Sequence, residues 1–210
     1  MNIIFDIDGT LVDSYKIDAN LYRDILTDIL GDVQIHDKWY KYEHVTDIGI
    51  LEEICFMNNI SNVHEVVSRI KQLFGERLQK YITIHPCKPI PGAVDFFNAL
   101  KKSSDYQIGI ATGGWRHTAQ MKLESAGFDV TDIVLKSCDD HKERAMIMEA
   151  CYKQISKNHN KVLYFGDNLW DLKASELLGW VFIGIGDKLK NKCDNWYPDF
   201  TDIEINKIIP

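Results

Sequence analysis

The residues able to do chemistry fall into four short runs: Asp6-Ile7-Asp8-Gly9-Thr10, Thr112-Gly113-Gly114, Lys142, and Gly166-Asp167-Asn168 with Asp171 after it. Carboxylates gathered at one place repel each other and hold on to protons unless a cation is bound among them. If Asp6, Asp8, Asp167 and Asp171 converge, a hard divalent ion held by oxygens is expected, and magnesium is the usual choice beside phosphate. Zinc is disfavoured, because no His or Cys joins the group. A metal-bound carboxylate can attack phosphorus once the phosphoryl oxygens are neutralised, since phosphoryl transfer rests on positioning and electrostatics. Thr112 offers a hydroxyl, Lys142 a point charge, and the Gly113-Gly114 turn backbone N–H groups. Asp8 would then protonate the departing oxygen and later take a proton from water.

These runs can meet only if the chain brings them to one edge, so the elements come next. Short apolar runs rich in β-branched and aromatic residues lie at residues 2–7, 106–111, 133–135, 161–165 and 181–185. Helical periodicity lies at 93–102, 118–126, 143–155 and 172–178. Strands alternating with helices predict a parallel sheet covered on both faces, with right-handed crossovers. In such sheets ligands bind beyond the carboxyl ends of the strands, where the chemical residues fall. Successive side chains in a strand point opposite ways, so Asp6 and Asp8 share a site only if the chain leaves the strand between them; Gly9 allows that turn.

A long segment interrupts this rhythm between the first two strands. Ile17, Leu21, Ile25 and Leu26, then Ile48, Leu51, Ile54 and Cys55, then Val63, Val66, Val67, Ile70, Leu73 and Phe74 form apolar stripes of three helices. Pro86, Pro89, Pro91 and Gly92 end the helical stretch. The expected organisation is a core of residues 1–13 and 89–210 with a helical insertion at 14–88. With 210 residues, the chain suits one core with an insertion better than two full domains of about 100–150 residues each.

The run FDIDGTLVDS resembles the first motif of the haloacid dehalogenase superfamily; ATGG resembles its second, Lys142 its third and GDNLWD its fourth. The Ile90-Pro91-Gly92-Ala93 segment is similar to the family's return from a helical cap. The resemblance lies with the phosphoglycolate phosphatase and β-phosphoglucomutase branch. It implies a Rossmann-like core with the cap inserted after the first strand, magnesium dependence, Asp6 as nucleophile and Asp8 as acid/base. It also implies that the main-chain carbonyl of Asp8, not its carboxylate, joins Asp6 and Asp167 on the metal. Gly9, Thr10, Gly113, Gly114, Arg116 and Asn168 are the candidate substrate contacts. The third motif departs from the pattern: Glu143 and Arg144, not proline, follow Lys142. Lys136 competes for its role; Lys142 is preferred because it stands at a helix start.

The expected substrate is a small phosphorylated metabolite, hydrolysed through an aspartyl-phosphate. A phosphomutase making the same intermediate is the nearest alternative. A receiver-like signalling module also places acids, a Thr and a Lys at strand ends, but such modules lack a helical insertion. Trp115 and Arg116 could contact a substrate, and His44, Thr46 and Asp47 could reach over the pocket from the insertion. The aromatic stretch Trp39, Tyr40, Tyr42 reads as packing within it. A net charge of −7, from 24 basic and 31 acidic residues, disfavours nucleic acid and anionic membrane. No apolar run nears the roughly 20 residues of a membrane span. Five cysteines without close pairing suggest reduced thiols and a cytoplasmic protein. The assembly expected is a monomer or homodimer.

Overall fold

A computed structural model describes residues 1–156 and 161–205; residues 157–160 and 206–210, assigned above to the core, lie outside the described residues. Six parallel strands form one sheet: β1 (Asn2–Phe5), β2 (Gln107–Ala111), β3 (Val134–Lys136), β4 (Val162–Gly166), β5 (Val181–Ile185) and β6 (Trp196–Tyr197). Their order is β3-β2-β1-β4-β5-β6, and every pairing is parallel. This is the expected Rossmann-like α/β core. β1 and β4 are buried along their whole lengths, which is why they read as unbroken apolar runs rather than as alternating ones.

β1 lies between β2 and β4, and the strand order reverses direction there. The chain therefore leaves β1 and β4 toward opposite sides and opens a crevice beyond their ends, where Asp6 and Asp167 stand. Alternate residues of β1 feed two cores. Ile3 and Phe5 join Phe97 and Leu123 on one face, whereas Ile4 joins Met148 and Cys151 on the other. The first face is covered by α4 (Ala93–Lys102) and α5 (Arg116–Ser125), the second by α6 (Arg144–Ile155) and α7 (Leu169–Leu178). The rings of Phe5 and Phe165 stack at 4.9 Å, and Phe165 stacks on Phe200 at 5.7 Å. This apolar stack lies directly behind the carboxyl ends of β1 and β4.

Between β1 and β2 the chain forms α1 (Tyr15–Leu30), α2 (Asp47–Met57) and α3 (Val63–Ile84). Of the expected stripes, Ile25 and Leu26 on α1 and Val66, Ile70 and Phe74 on α3 are buried, while Ile17, Leu21, Val63, Val67 and Leu73 are half-buried; Tyr22, Leu78 and Ile82 are buried beyond the expected set. A single 3-10 turn at Trp39–Lys41 joins α1 to α2. The outgoing and returning chains run side by side: Asp13 N–H donates to Lys88 O at 2.9 Å, and Ile90 N–H to Leu11 O at 2.9 Å. The helical segment thus joins the core through two paired stems.

Strand ends differ from the expectation by one or two residues, and β6, only two residues long, was not anticipated. A strand so short carries no readable period. β1 stops at Phe5 rather than at residue 7: Asp6 N–H still donates to Phe165 O of β4 at 2.9 Å, but at Ile7 the chain turns, and Thr10, Leu11 and Val12 N–H all donate to Ile7 O.

Trp115 ties the two parts together. Its side chain is fully buried, stacked on Tyr22 of α1 at 6.0 Å and edge-on to Phe74 of α3 at 5.5 Å. It is packing, not a substrate platform, and its Nε1 has no partner among the described residues. Trp115→Ala should cost about 3–5 kcal/mol in urea unfolding. Trp115→Phe, which keeps a ring and strands no hydrogen bond, should cost less than about 1.5 kcal/mol. Equal losses for the two variants would contradict this packing role.

Candidate active site

Asp6 follows β1, is buried, and accepts from Thr10 Oγ1 at 3.4 Å. Oxygens of Asp6, Asp167 and Asp171 all lie within 4.8 Å of one another, and all three residues are buried. Gly9 permits the approach: its φ is +87°, and a Cβ there would collide with the Asp167 carboxylate. Asp171 is fixed by its place in α7. Its Oδ2 accepts from Asn168 N–H at 3.2 Å in a capping box that starts the helix. The Asn168 side chain donates to Asp167 Oδ1 at 2.6 Å. Asn168 thus orients an acid of the cluster and does not line the cavity.

Burial, reinforced by Asp171, holds the Asp6 carboxyl well above its usual range, while Arg144 works against that rise. Burial also raises Asp167, with Lys188 opposing, and pushes Asp171 to about 6 against Arg144. The cations doing this are in contact. Arg144 Nη1 lies 3.1 Å from Asp6 and 3.0 Å from Asp171; Lys188 Nζ is 2.8 Å from Asp167. Three buried oxygen ligands whose protons are held by burial and mutual repulsion form a set that a hard divalent cation could occupy.

The third-motif expectation needs correction. Lys142 does not reach the acids: its ammonium is about half exposed and pairs with Glu52 of α2 at 2.9 Å. Arg144 stands there instead, because α6 begins at Arg144 and leaves Lys142 in the preceding loop, pointing at the helical insertion. Lys136 pairs with Asp140 at 3.2 Å, also away from the cluster. Arg116 departs as well: it pairs with Asp140 and donates to Leu135 O, holding the β3 loop.

A second charged group flanks the first. Asp8 points away from the three-acid cluster; its Oδ1 accepts from Ser14 Oγ at 2.5 Å and from Lys122 Nζ. Lys122 also binds Asp18 of α1 at 2.5 Å and is 2 % exposed. Burial tends to raise the Asp8 carboxyl, but Lys122 and hydrogen bonds from Asp18, Lys122 and Ser14 hold it below its usual value. Burial raises Asp18 well above its own, although Lys122 opposes that. Two carboxyls share one ammonium and are shifted in opposite directions, Asp8 down and Asp18 up. Sequence reasoning missed Asp18 and Lys122. A signal existed for the lysine, since Ala119, Lys122 and Leu123 share the buried arc of α5.

Thr112, Gly113 and Gly114 line the cavity with Asp6, Asp8 and Asp167, and its opposite wall comes from the insertion through Tyr15, Ala19, Tyr22, Trp39, Asp47 and Phe74. The space measures about 110 Å³. The wall is pinned to the core: Asp47 N–H donates to Gly113 O at 2.9 Å, and Thr46 Oγ1 to Lys142 O at 2.7 Å. Asp47 Oδ2 in turn accepts from Trp115 N–H at 3.1 Å. Of the three candidates in this stretch, Thr46 and Asp47 reach the cavity and His44 does not.

Burial pushes the Asp47 carboxyl from 3.8 to about 7, against the pull of Lys122. An acid that keeps its proton longer in the folded state adds stability at low pH, and that contribution is lost as pH rises from 3.8 to about 7. Asp47→Asn removes this loss. Urea midpoints measured across the interval should fall less steeply with pH in the variant than in the parent. Parallel curves would show that Asp47 titrates normally.

The comparisons with known proteins agree with this geometry. The family model described as haloacid dehalogenase-like hydrolase matches residues 1–179. A curated relative, pyrophosphatase PpaX of Bacillus mycoides (strain KBAB4), is 23% identical over 219 residues, covering 99% of this chain and 94% of its own. A hydrolase from Pseudomonas syringae superposes with a TM-score of 0.76 at 23% identity, covering 96% of this chain and 94% of that one. β-Phosphoglucomutase from Clostridium difficile gives a TM-score of 0.76 at 14% identity, with 99% and 94% covered. With five-sixths of its length matched by one family model, the chain belongs to the haloacid dehalogenase-like hydrolases.

Proposed function

We propose that the protein is a magnesium-dependent phosphatase of small phosphate monoesters, with residues 14–88 acting as a cap over the site. The observation that carries this reading is the buried Asp6 set between two differently charged groups. On one side stand Asp167, Asp171 and Arg144; on the other stands Asp8 with Lys122. Asp6, Asp167 and Asp171 would hold magnesium, together with the Asp8 main-chain oxygen that the family resemblance adds. When bound, magnesium neutralises charge on the phosphoryl oxygens.

In this reading Arg144 orients the Asp6 carboxylate, and Thr112 with the Gly113-Gly114 backbone receives the remaining phosphoryl oxygens. Asp6 forms a bond to phosphorus while the ester P–O bond breaks, and the proton that Asp18 shares with Asp8 passes through Asp8 to the leaving alkoxide. Asp8 next takes a proton from water as the water oxygen attacks phosphorus. The bond between Asp6 and phosphorus breaks, and inorganic phosphate leaves. Ser14 and Lys122 both bind Asp8 Oδ1, so the Oδ2 side is the one to meet the leaving group.

Two further readings have a specific basis. The name of the Bacillus relatives, pyrophosphatase PpaX, supports pyrophosphate as substrate. The fold shared with β-phosphoglucomutase supports return of the phosphoryl group to a second sugar oxygen. Phosphorus NMR of products separates a mutase from a hydrolase, because only a hydrolase accumulates inorganic phosphate.

The direct test is phosphate release from p-nitrophenyl phosphate with and without magnesium. Asp6→Asn should fall by roughly 10⁴-fold or more in kcat, and chelation of magnesium should abolish turnover. Arg144→Ala should lose roughly 10²–10³-fold, whereas Lys142→Ala should stay within about twofold, as expected for an exposed ion pair. An active Asp6→Asn variant would refute the proposed nucleophile. A loss at Lys142 with none at Arg144 would restore the original third-motif reading.

A further inference from the structure

Resting on the phosphatase reading, we infer that the leaving group of the substrate carries no negative charge, and that Asp47 of the cap selects for this by facing the leaving-group oxygen.

The position of the leaving group follows from three oxygens around one point. A methyl group built on Gly114 would stand 3.6 Å from Asp47 Oδ2, 3.7 Å from Asp8 Oδ2 and 3.7 Å from Thr112 Oγ1. Asp8 Oδ2 is the acid oxygen not taken by Ser14 and Lys122. An alkoxide protonated by Asp8 therefore departs within reach of Asp47. The rest of the leaving group meets the cap wall, where Asp18 and Asp47 are the charged side chains among the described lining residues. Beside them stand the rings of Tyr22 and Trp39, edge to face at 5.8 Å.

Among the described residues lining the cavity the cations are Lys122 and Arg144, and both are already paired; Arg23 sits behind the lining, its guanidinium 5.2 Å from the Trp39 ring centre. Lys122 already serves both Asp8 and Asp18, and Arg144 both Asp6 and Asp171. Lys188 lies 2.8 Å from Asp167 and 3.8 Å from the centre of the Tyr15 ring. A carboxylate or second phosphate on the leaving group would face Asp47 with no unpaired cation among the described lining residues to receive it, in a site where burial strengthens repulsion. Hydroxyl or ammonium donors, by contrast, would find carboxylate acceptors, and an ammonium would also find aromatic faces. The chemistry selects phosphate esters of amino alcohols and uncharged polyols over pyrophosphate and phosphoglycolate.

The test is a comparison of kcat/KM at pH 8 with magnesium for four probes: phosphoethanolamine, glycerol 1-phosphate, phosphoglycolate and pyrophosphate. The first two should each exceed the last two by at least tenfold. Asp47→Asn, checked for folding by circular dichroism, should narrow that gap by improving the anionic pair. If phosphoglycolate or pyrophosphate equals or exceeds the other two, the inference is overturned while the phosphatase reading stands. An unchanged gap in folded Asp47→Asn removes the selective role from Asp47. If none of the four probes nor p-nitrophenyl phosphate releases phosphate, the phosphatase reading itself falls, and the inference with it.

Discussion

Three carboxylates, Asp6, Asp167 and Asp171, are buried with oxygens within 4.8 Å of one another, and a protein can keep such a group together only by supplying positive charge and a stiff frame. The frame is the pair β1 and β4, in register from Asn2 opposite Val162 to Phe5 opposite Phe165. Phe5, Phe165 and Phe200 stack behind it. The first charge is Arg144, which bridges two of the acids from the start of α6. Truncating one member of so buried a group leaves the others unpaired, and that penalty exceeds the net worth of the pairing. Much of the fold can be understood as the means of holding this cluster: the left-handed Gly9, the capping box of α7 and the helix start at Arg144.

A charge asymmetry follows. On one side of Asp6 the protein gathers what a phosphoryl group requires: a cation-hungry acid cluster, a guanidinium, a hydroxyl and a glycine turn. On the other side it places Asp8 and Asp18 around the single ammonium of Lys122, a group bridging core and cap. Asp47 adds a further carboxyl along the cap. Two halves of one cavity thus present opposite electrostatic faces, once the acid cluster has its cation. Cap and core are locked by Trp115 between Tyr22 and Phe74 and by hydrogen bonds from Thr46 and Asp47 to the core backbone.

Much of this was legible from the chain alone. Buried parallel strands write continuous apolar runs, so five of the six strands could be read within a residue or two, whereas the three insertion helices were located by their apolar stripes but run past them, α3 by ten residues to Ile84. Asp6, Asp8, Asp167 and Asp171 stand at strand ends that the alternation already placed on one edge. What could not be read depends on helix phase and on distant partners. Lys142 and Arg144 are two residues apart, and the point at which α6 begins decides which of them turns toward Asp6. Arg116 follows the glycine turn in sequence, but its guanidinium swings to Asp140 because that carboxylate lies in the next loop. Lys122 looks like an ordinary helix lysine until Asp8, 114 residues away, and Asp18 appear beside it.

The central claim is that the acid cluster makes Asp6 the atom that takes the phosphoryl group. The most direct test is to quench the enzyme during turnover with acid, reduce it with borohydride and map the product by peptide mass spectrometry, since reduction converts an acyl phosphate to the alcohol. The account predicts homoserine at position 6, formed only when substrate and magnesium are both present. Homoserine at Asp8, Asp167 or Asp171, or none at all in an enzyme that is turning over, would contradict it.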